Sequence, residues 1–428
     1  MQAAEALEPE ERERLLSRSS AKYYSVVFQD LEGRLHERIL RATNAGELEE
    51  GFRVDGYSVG LANIEDSDLL VKPDFATLRV YNSPFGRTAF LVGDIYYESK
   101  PLPYHPRYIL KSVAENLNFE VLVGFEVEFY LTRGGKPADS GYYWSPIDNT
   151  ALHAIAEILE ELSSTGVEVR SAHHEVGPGQ YEVLPAPMSP VAAADTLLLV
   201  KKAIWSVAAK YGLKATFMPK PFTGLPGNGL HLHLSAHKNG RNILSEDGQL
   251  REEGLNFIAG LLANARTTAL LTNPTVNSYK RLVPGFEAPV LVAWGIGNRS
   301  VLVRVPRGLK GASKTVEYRL PDSSGNIYLA LTAAILAGVE GLEKRLKAPP
   351  PCSENAYRLS GLEAIPRTLA EAVSLARQAT LLSGDARKAL EMLVASKAEE
   401  WENYLKATGA SPDSTEVTEW ELEKYFDR

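Results

Sequence analysis

Apolar and polar residues alternate through Gly124-Phe125-Glu126-Val127-Glu128-Phe129-Tyr130-Leu131, and a period of two over β-forming side chains predicts a strand. Glu126 and Glu128 then project from one face, Val127 and Phe129 from the other. Ahead of this run, residues 8–20 have the composition of a short polar helix, and residues 23–28, 77–81 and 88–92 are β-like runs among Gly and Asn turns, the pattern of a small sheet. Lys100-Pro101-Leu102-Pro103-Tyr104-His105-Pro106 reads as a linker, because closely spaced prolines stiffen a chain and exclude helix and central strand. Beyond it strands and helices interleave. Asp148 or Asn149 caps a helix running to about Leu162, with Gly166 just past its end. Ser189-Pro190 opens a long helix that Gly212 closes. Residues 326–346 read as a buried helix and 366–428 as almost wholly helical, with Thr415 and Thr418 as candidate caps for the last piece. The pattern divides the chain into residues 1–102, a small sheet domain, and residues 103–428.

Composition narrows the function classes. With 428 residues, 44% hydrophobic and 23% charged, the chain has ample material for a core and the length for two domains. A net charge of −8, from 46 basic and 54 acidic residues, supplies no basic field for a nucleic acid or an anionic membrane. The single cysteine, Cys352, excludes an intramolecular disulfide framework and a multi-thiolate zinc site. Residues 1–14 are rich in Glu and Arg where a signal peptide has an apolar core, and the most apolar segment, residues 328–338, is too short to span a membrane. The reading is a soluble cytoplasmic protein.

The polar residues cluster in ways that suggest chemistry. Two carboxylates side by side on a half-buried strand repel and lose hydration, which a divalent cation or a shared proton relieves; standing alone, the pair would equally suit a solvated strand face. In His173-His174-Glu175-Val176-Gly177-Pro178-Gly179-Gln180-Tyr181-Glu182, a Gly-Pro-Gly bend lets Glu175 and Glu182 aim at one point. In Gly229-Leu230-His231-Leu232-His233-Leu234-Ser235, His231, His233 and Ser235 share a strand face, a spacing for a metal or for a structural pair. Alternation in Val316-Glu317-Tyr318-Arg319 places Glu317 and Arg319 together. Five carboxylates and a histidine suit hard ions such as Mg²⁺ or Mn²⁺. Arg281, Arg299, Arg304, Arg307 and Arg319 add guanidinium forks for carboxylate and phosphate. Metals with arginines describe a site for a polyanionic substrate, such as ATP with an acidic co-substrate; on the residues alone, a metal-dependent hydrolase is the alternative.

Glu126-Val127-Glu128-Phe129, His174-Glu175 to Gln180 and Glu182, Gly229 to Ser235, Asn277-Ser278-Tyr279-Lys280-Arg281-Leu282-Val283-Pro284-Gly285-Phe286-Glu287-Ala288-Pro289, Asn298-Arg299-Ser300 and Glu317-Tyr318-Arg319 with Pro321-Asp322 resemble, in order and approximate spacing, the type I glutamine synthetase family. The resemblance covers nearly the whole chain. It implies an α+β fold: a small N-terminal β-grasp domain, then a large α/β catalytic domain with a curved antiparallel sheet. It also implies a homo-oligomer, a dodecamer of two stacked hexameric rings with active sites between neighbours and Asp55 acting in the adjacent subunit's site.

The implied reaction is ATP-dependent joining of ammonia to the γ-carboxylate of glutamate through γ-glutamyl phosphate. By the same resemblance Glu128, Glu175 and Glu182 hold the Mg²⁺ or Mn²⁺ facing the amino acid, and Glu126, His231 and Glu317 the ion on the nucleotide. Arg281 and Arg319 grip glutamate, with Gly227 at the substrate; Arg299 clamps the transferred phosphoryl group; His233, Ser235 and Arg304 contact the nucleotide. Glu287 is a flap residue that takes a proton from the amine, and Asp55, Ser58 and Tyr142, with Glu175, form an ammonium pocket whose cation loses a proton before attack to Asp55 or Glu287. The chain departs from the family pattern in four places. Pro226 stands where an asparagine amide contacts glutamate, Thr315 replaces an arginine before Val316-Glu317, and Tyr57 replaces a serine. Trp294-Gly295 resembles relatives that join glutamate to larger amines, so an alkylamine or polyamine acceptor is the alternative. A silent member used for binding is a third reading.

Overall fold

The long alternating run lies within Glu120–Arg133, the central strand of a ten-stranded sheet. In this computed structural model residues 8–145, 147–308 and 314–428 are described, so the first seven residues of the acidic N-terminal stretch lie outside them. The strand order is Trp294–Ile296, Val303–Val305, Val316–Tyr318, Leu230–Lys238, Glu120–Arg133, Gln180–Pro185 and Val169–His174, with three short strands paired at the sides. Neighbours are antiparallel except Trp294–Ile296 and Val303–Val305, which run parallel, a departure from the purely antiparallel expectation. A second, six-stranded sheet holds the short runs read near the N-terminus, ordered Leu35–Arg41, Tyr23–Gln29, Gly86–Tyr97, Asp68–Ser83 and Phe52–Asp55, with Lys100–Pro101 beside Gly86–Tyr97. The chain is α+β, as expected.

Helix ends follow local chemistry with small shifts. Thr150–Ser164 is capped by the Asn149 side chain, which accepts from Ala151 and Leu152 N–H, not by Asp148. Ser189 precedes Pro190–Lys210 without a side-chain capping bond, and Gly212 follows at φ 65°. Asn326 caps Ile327–Glu343, which stops before residue 346. The C-terminal stretch breaks into Leu369–Ala376, Gly384–Thr408 and Glu419–Tyr425; Thr418 forms a reciprocal capping box with Glu421, whereas Thr415 lies in the preceding loop.

The proline-rich segment is not a free linker. Leu102 N–H bonds the Ile95 carbonyl at 2.8 Å, Tyr104 Oη donates to Leu61 O at 2.8 Å, and Pro106 begins the helix Pro106–Glu115. Proline lacks an N–H that the first helical turn does not use, so it starts a helix readily. Arg107, fully buried on that helix, joins Asp195 through two bonds (2.9 and 2.7 Å), Asp94 at 2.6 Å and Asp74 at 2.8 Å. Asp74 and Asp94 belong to the smaller sheet and Asp195 to Pro190–Lys210. One apolar core runs continuously through both sheets.

Candidate active site

Sheet register, more than sequence spacing, assembles the charged groups. Glu128 pairs directly with Glu182, and Glu182 with His173 on the next strand. On the other side Glu126 pairs with His231, His233 with Glu317, and Glu317 with Arg304. Direct partners point to one face, so residues up to about two hundred apart in sequence meet on one concave surface. Glycine allows the backbone to come close: a Cβ on Gly229 would stand 2.8 Å from both Arg281 Nη2 and His231 Nε2. Its N–H donates to Glu128 Oε2 at 2.7 Å.

The contacts are short. Glu126 Oε2 is 2.7 Å from His231 Nδ1 and its Oε1 3.0 Å from His233 Nε2. His173 Nε2 lies 2.9 Å from Glu175 Oε1 and 3.7 Å from Glu182 Oε1. Three groups have ligand atoms within 4.8 Å of one another: Glu126, Glu182 and His231; Glu126, His233 and Glu317; His173, Glu175 and Glu182. Glu182 is raised well above the ordinary carboxylate range, first by burial and then by Glu126 and Glu128 beside it. Burial, with Glu175 nearby, raises Glu128 as well. Burial would also raise Glu126, but its bonds to the two imidazoles hold it well below that range. Buried carboxylates that repel one another, with oxygen and imidazole donors converging, fit a pair of hard divalent cations.

A cleft of about 250 Å³ opens over these groups, lined also by Tyr142, Gln180, Pro226, Gly227, Arg281, Glu287, Arg299 and Arg319. Arg299 Nη1 lies 3.5 Å from Glu287 Oε2, and Arg319 Nη2 donates to the Glu287 carbonyl at 3.2 Å. Arg304 and Arg319 each keep a buried Nε–H without an acceptor among the described residues. A wall of carboxylates thus faces a wall of guanidinium groups. Residues 103–425 match the family model described as glutamine synthetase, catalytic domain. The chain belongs to the glutamine synthetase family. A glutamine synthetase of Pyrococcus horikoshii is 38% identical over 95% of this chain and 96% of its own length, and one of Thermotoga maritima 33% identical over 96% and 98%. The solved structure of a GmaS/ADP complex superposes with a TM-score of 0.84 at 30% identity, covering 96% of this chain and 98% of that one.

Against the expectations drawn from glutamine synthetases, most residues converge and some stand apart. Glu126, Glu128, Glu175, Glu182, His231, Gly227, Arg281, Arg299, Arg319, Glu287 and Tyr142 line the cleft, with Glu317, His233 and Arg304 bonded to its edge. The donor groups overlap: Glu126 belongs to two clusters, and Glu128, whose Oε1 lies 3.8 Å from His231 Nε2, to none of the three. Arg281 already spends two N–H groups on the Leu320 and Arg319 carbonyls, at 2.8 and 3.0 Å. Ser235 bonds His237 at 3.0 Å and is not among the cleft residues. Asp55 and Ser58 pair with each other at 2.5 Å on the exposed turn after Phe52–Asp55, also apart from the cleft of their own chain.

Two departures acquire a physical account. Thr315 Oγ1 lies 3.1 Å from His233 Nδ1 and orients that imidazole without adding a cation. Trp294 is buried, with its indole N–H on the Pro349 carbonyl at 2.7 Å; it packs in the core rather than widening an amine pocket. Sequence reading passed over His173, whose signal was its position opposite Glu182 across the Gly-Pro-Gly hairpin. It also passed over Asp139, which accepts from Gly141 N, Gly179 N and Tyr181 Oη at 2.9, 2.9 and 2.6 Å and lies 2.8 Å from His174 Nε2. Asp139-Ser140-Gly141 has the composition of an Asx turn.

Proposed function

We propose that this chain joins ammonia to the γ-carboxylate of L-glutamate, with ATP as the driving co-substrate and γ-glutamyl phosphate as the intermediate. It is a glutamine synthetase-type ligase, and the observation that carries the reading is the single cleft holding Glu126, Glu128, Glu175, Glu182 and His231 opposite Arg281, Arg299 and Arg319. The similar GmaS structure is a complex with ADP, which supports an adenine nucleotide as co-substrate. Glu128, Glu175 and Glu182, with His173 beside them, and Glu126, His231, His233 and Glu317 are the residues that would hold two Mg²⁺ or Mn²⁺ ions. When bound, such ions neutralise phosphate charge and polarise the transferred group.

The chain's own residues supply the rest. A γ-carboxylate oxygen attacks the γ-phosphorus of ATP, ADP leaves, and Arg299 and Arg319 stabilise charge spread over the moving phosphoryl group. Bound ammonium gives one proton to Asp55 of the adjacent copy, the resulting ammonia attacks the activated carbonyl carbon, phosphate leaves, and the second proton lost from the amine goes to Glu287. Arg281 and Arg319 orient glutamate, with Gly227 at the substrate, and His233 and Arg304 face the nucleotide. Tyr142 and Glu175 form one side of the ammonium pocket. Asp55 and Ser58 supply the other side from an adjacent copy within a dodecamer of two stacked hexameric rings. Their exposure supports this placement, as does their separation from the cleft of their own chain. We place the domain boundary at 102/103 and the protein in the cytoplasm; no described helix is long and apolar enough to cross a membrane.

The test is stoichiometric. With glutamate, ATP, Mg²⁺ and ammonium, purified protein is expected to form equal amounts of glutamine, ADP and phosphate. Formation of product with methylamine or putrescine but not with ammonium would reject ammonia as the acceptor, and ATP cleavage independent of glutamate would reject the ligase.

A further inference from the structure

Three successive carbonyls beside the cleft are each held by a side chain from elsewhere. Lys220 Nζ donates to Leu225 O, Tyr130 Oη to Pro226 O at 2.8 Å, and Gln180 Nε2 to Gly227 O at 3.0 Å. Lys220 is the unusual member, only 2% exposed, and burial, with the cation Arg281 nearby, depresses its ammonium. Its main chain is pinned between Pro219 and Pro221: its N–H donates to Asn277 Oδ1 at 2.6 Å, and its carbonyl accepts from Asn277 Nδ2 at 3.0 Å. A buried ammonium needs compensation, and the second partner is an aromatic face: Nζ lies 4.1 Å from the centroid of Phe286, a favourable place for a cation.

Phe286 immediately precedes Glu287. Glu287 sits at φ 55°, a left-handed backbone conformation that residues other than glycine rarely adopt and keep only where the surroundings over-determine it. The anchors are visible: Arg319 on the Glu287 carbonyl at 3.2 Å, Tyr357 Oη on the Ala288 carbonyl at 2.8 Å, and Lys220 beneath Phe286. Of these three, Lys220 is the one that also holds the loop carrying Pro226 and Gly227.

We propose that Lys220 is a positioning residue that couples this loop to the flap, one ammonium holding the Leu225 carbonyl and the Phe286 ring so that an ordered loop keeps Glu287 over the cleft. The inference rests on the ligase reading above. Its chemical consequence concerns water. If the flap lifts, a water oxygen attacks the carbonyl carbon of γ-glutamyl phosphate, the C–O bond to phosphate breaks, and glutamate returns with ATP consumed and no amide made.

The readout is phosphate released per glutamine formed at saturating ammonium. Wild type is expected near one, and Lys220→Met several-fold higher, whereas Lys220→Arg, which restores a cation, falls back toward wild type. Phe286 is 37% exposed, so its variants answer the question even if Lys220→Met does not fold: Phe286→Leu should leak like Lys220→Met, and Phe286→Tyr should retain tight coupling. The double variant Lys220→Met with Phe286→Leu should leak no more than the worse single one. An unchanged ratio in Phe286→Leu and in any folded Lys220→Met overturns the inference while leaving the ligase reading intact. A wild-type chain that makes no glutamine overturns both.

Discussion

Glu317 and Arg319 meet side chain to side chain, Oε1 to Nη1 at 2.5 Å, and the other oxygen of Glu317 accepts from Arg304 Nη1 at 2.5 Å. Burial alone would raise this carboxyl, but Arg319 and His233 hold it below the ordinary range. One fully buried carboxylate therefore serves two guanidinium groups and the donor cluster with Glu126 and His233. Glu317→Ala leaves both arginines without their counter-ion. An uncompensated buried charge costs about 3–5 kcal/mol, so urea unfolding should show a loss of that order. In the same variant, ATP affinity measured with Mg²⁺ is expected to fall by about 10–100-fold, the range for disturbed metal sites. Unchanged ATP affinity contradicts the assignment.

Glu182 behaves in the opposite sense. Its neighbours are carboxylates, and burial penalises its charge. Glu182→Gln removes the repulsion, so the chelated protein should unfold at a higher temperature than chelated wild type, by an amount equivalent to about 1–2 kcal/mol. With Mg²⁺ in excess the order should reverse, because wild type gains binding free energy that the variant lacks. A variant less stable under both conditions would remove the argument that these carboxylates await a cation.

Glu287→Ala separates the two halves of the reaction. Loss of a general base lowers rate by about 10²–10⁴-fold, and that loss should fall on amide formation. The burst of ADP formed in the absence of ammonium, which reports the acyl phosphate, should change only a few-fold. Equal losses in both would assign Glu287 to phosphoryl transfer instead.

Lys201 is buried, donates to the Ser323 carbonyl at 2.9 Å and faces the rings of Trp205 and Phe217. Burial, with Arg428 nearby, lowers its ammonium from 10.5 to about 7. Above pH 10.5 neither folded nor unfolded chain carries this proton. As pH falls toward 7 the unfolded chain takes it up first, so stability from this group is lost across that window and is constant below it. Wild type should therefore gain on Lys201→Met as pH rises from 7 to 10, by on the order of a few kcal/mol. Parallel stability curves in urea titrations at pH 7, 8.5 and 10 would rule this out.

Much of the fold and the site was readable because alternation reports which face a side chain takes. Glu126 with Glu128, His231 with His233 and Glu317 with Arg319 were paired that way, and all lie on the concave surface. Alternation does not report register or partners. The Gly-Pro-Gly bend hinted at a hairpin, but only its register sets His173 opposite Glu182, and nothing in the letters gave Glu126 to two clusters or turned Trp294 into the core. Prolines misled in a specific way: they announced a linker, yet Pro106 starts a helix whose next residue is a buried arginine. The choice of Asn149 over Asp148 as a cap, and the breaks inside the C-terminal helices, depend on one or two residues of local geometry that composition does not resolve.

Arg107 carries a further consequence for how the molecule is built. Its guanidinium stands on the C-terminal side of the proline stretch, while two of its three carboxylates, Asp74 and Asp94, stand before that stretch. A chain cut at that stretch would leave Arg107 with Asp195 as its one remaining carboxylate among the three and put the pair of acids on the other fragment without the guanidinium. The short N-terminal sheet is thus a structural partner of the catalytic half, and neither is expected to persist unchanged when expressed by itself.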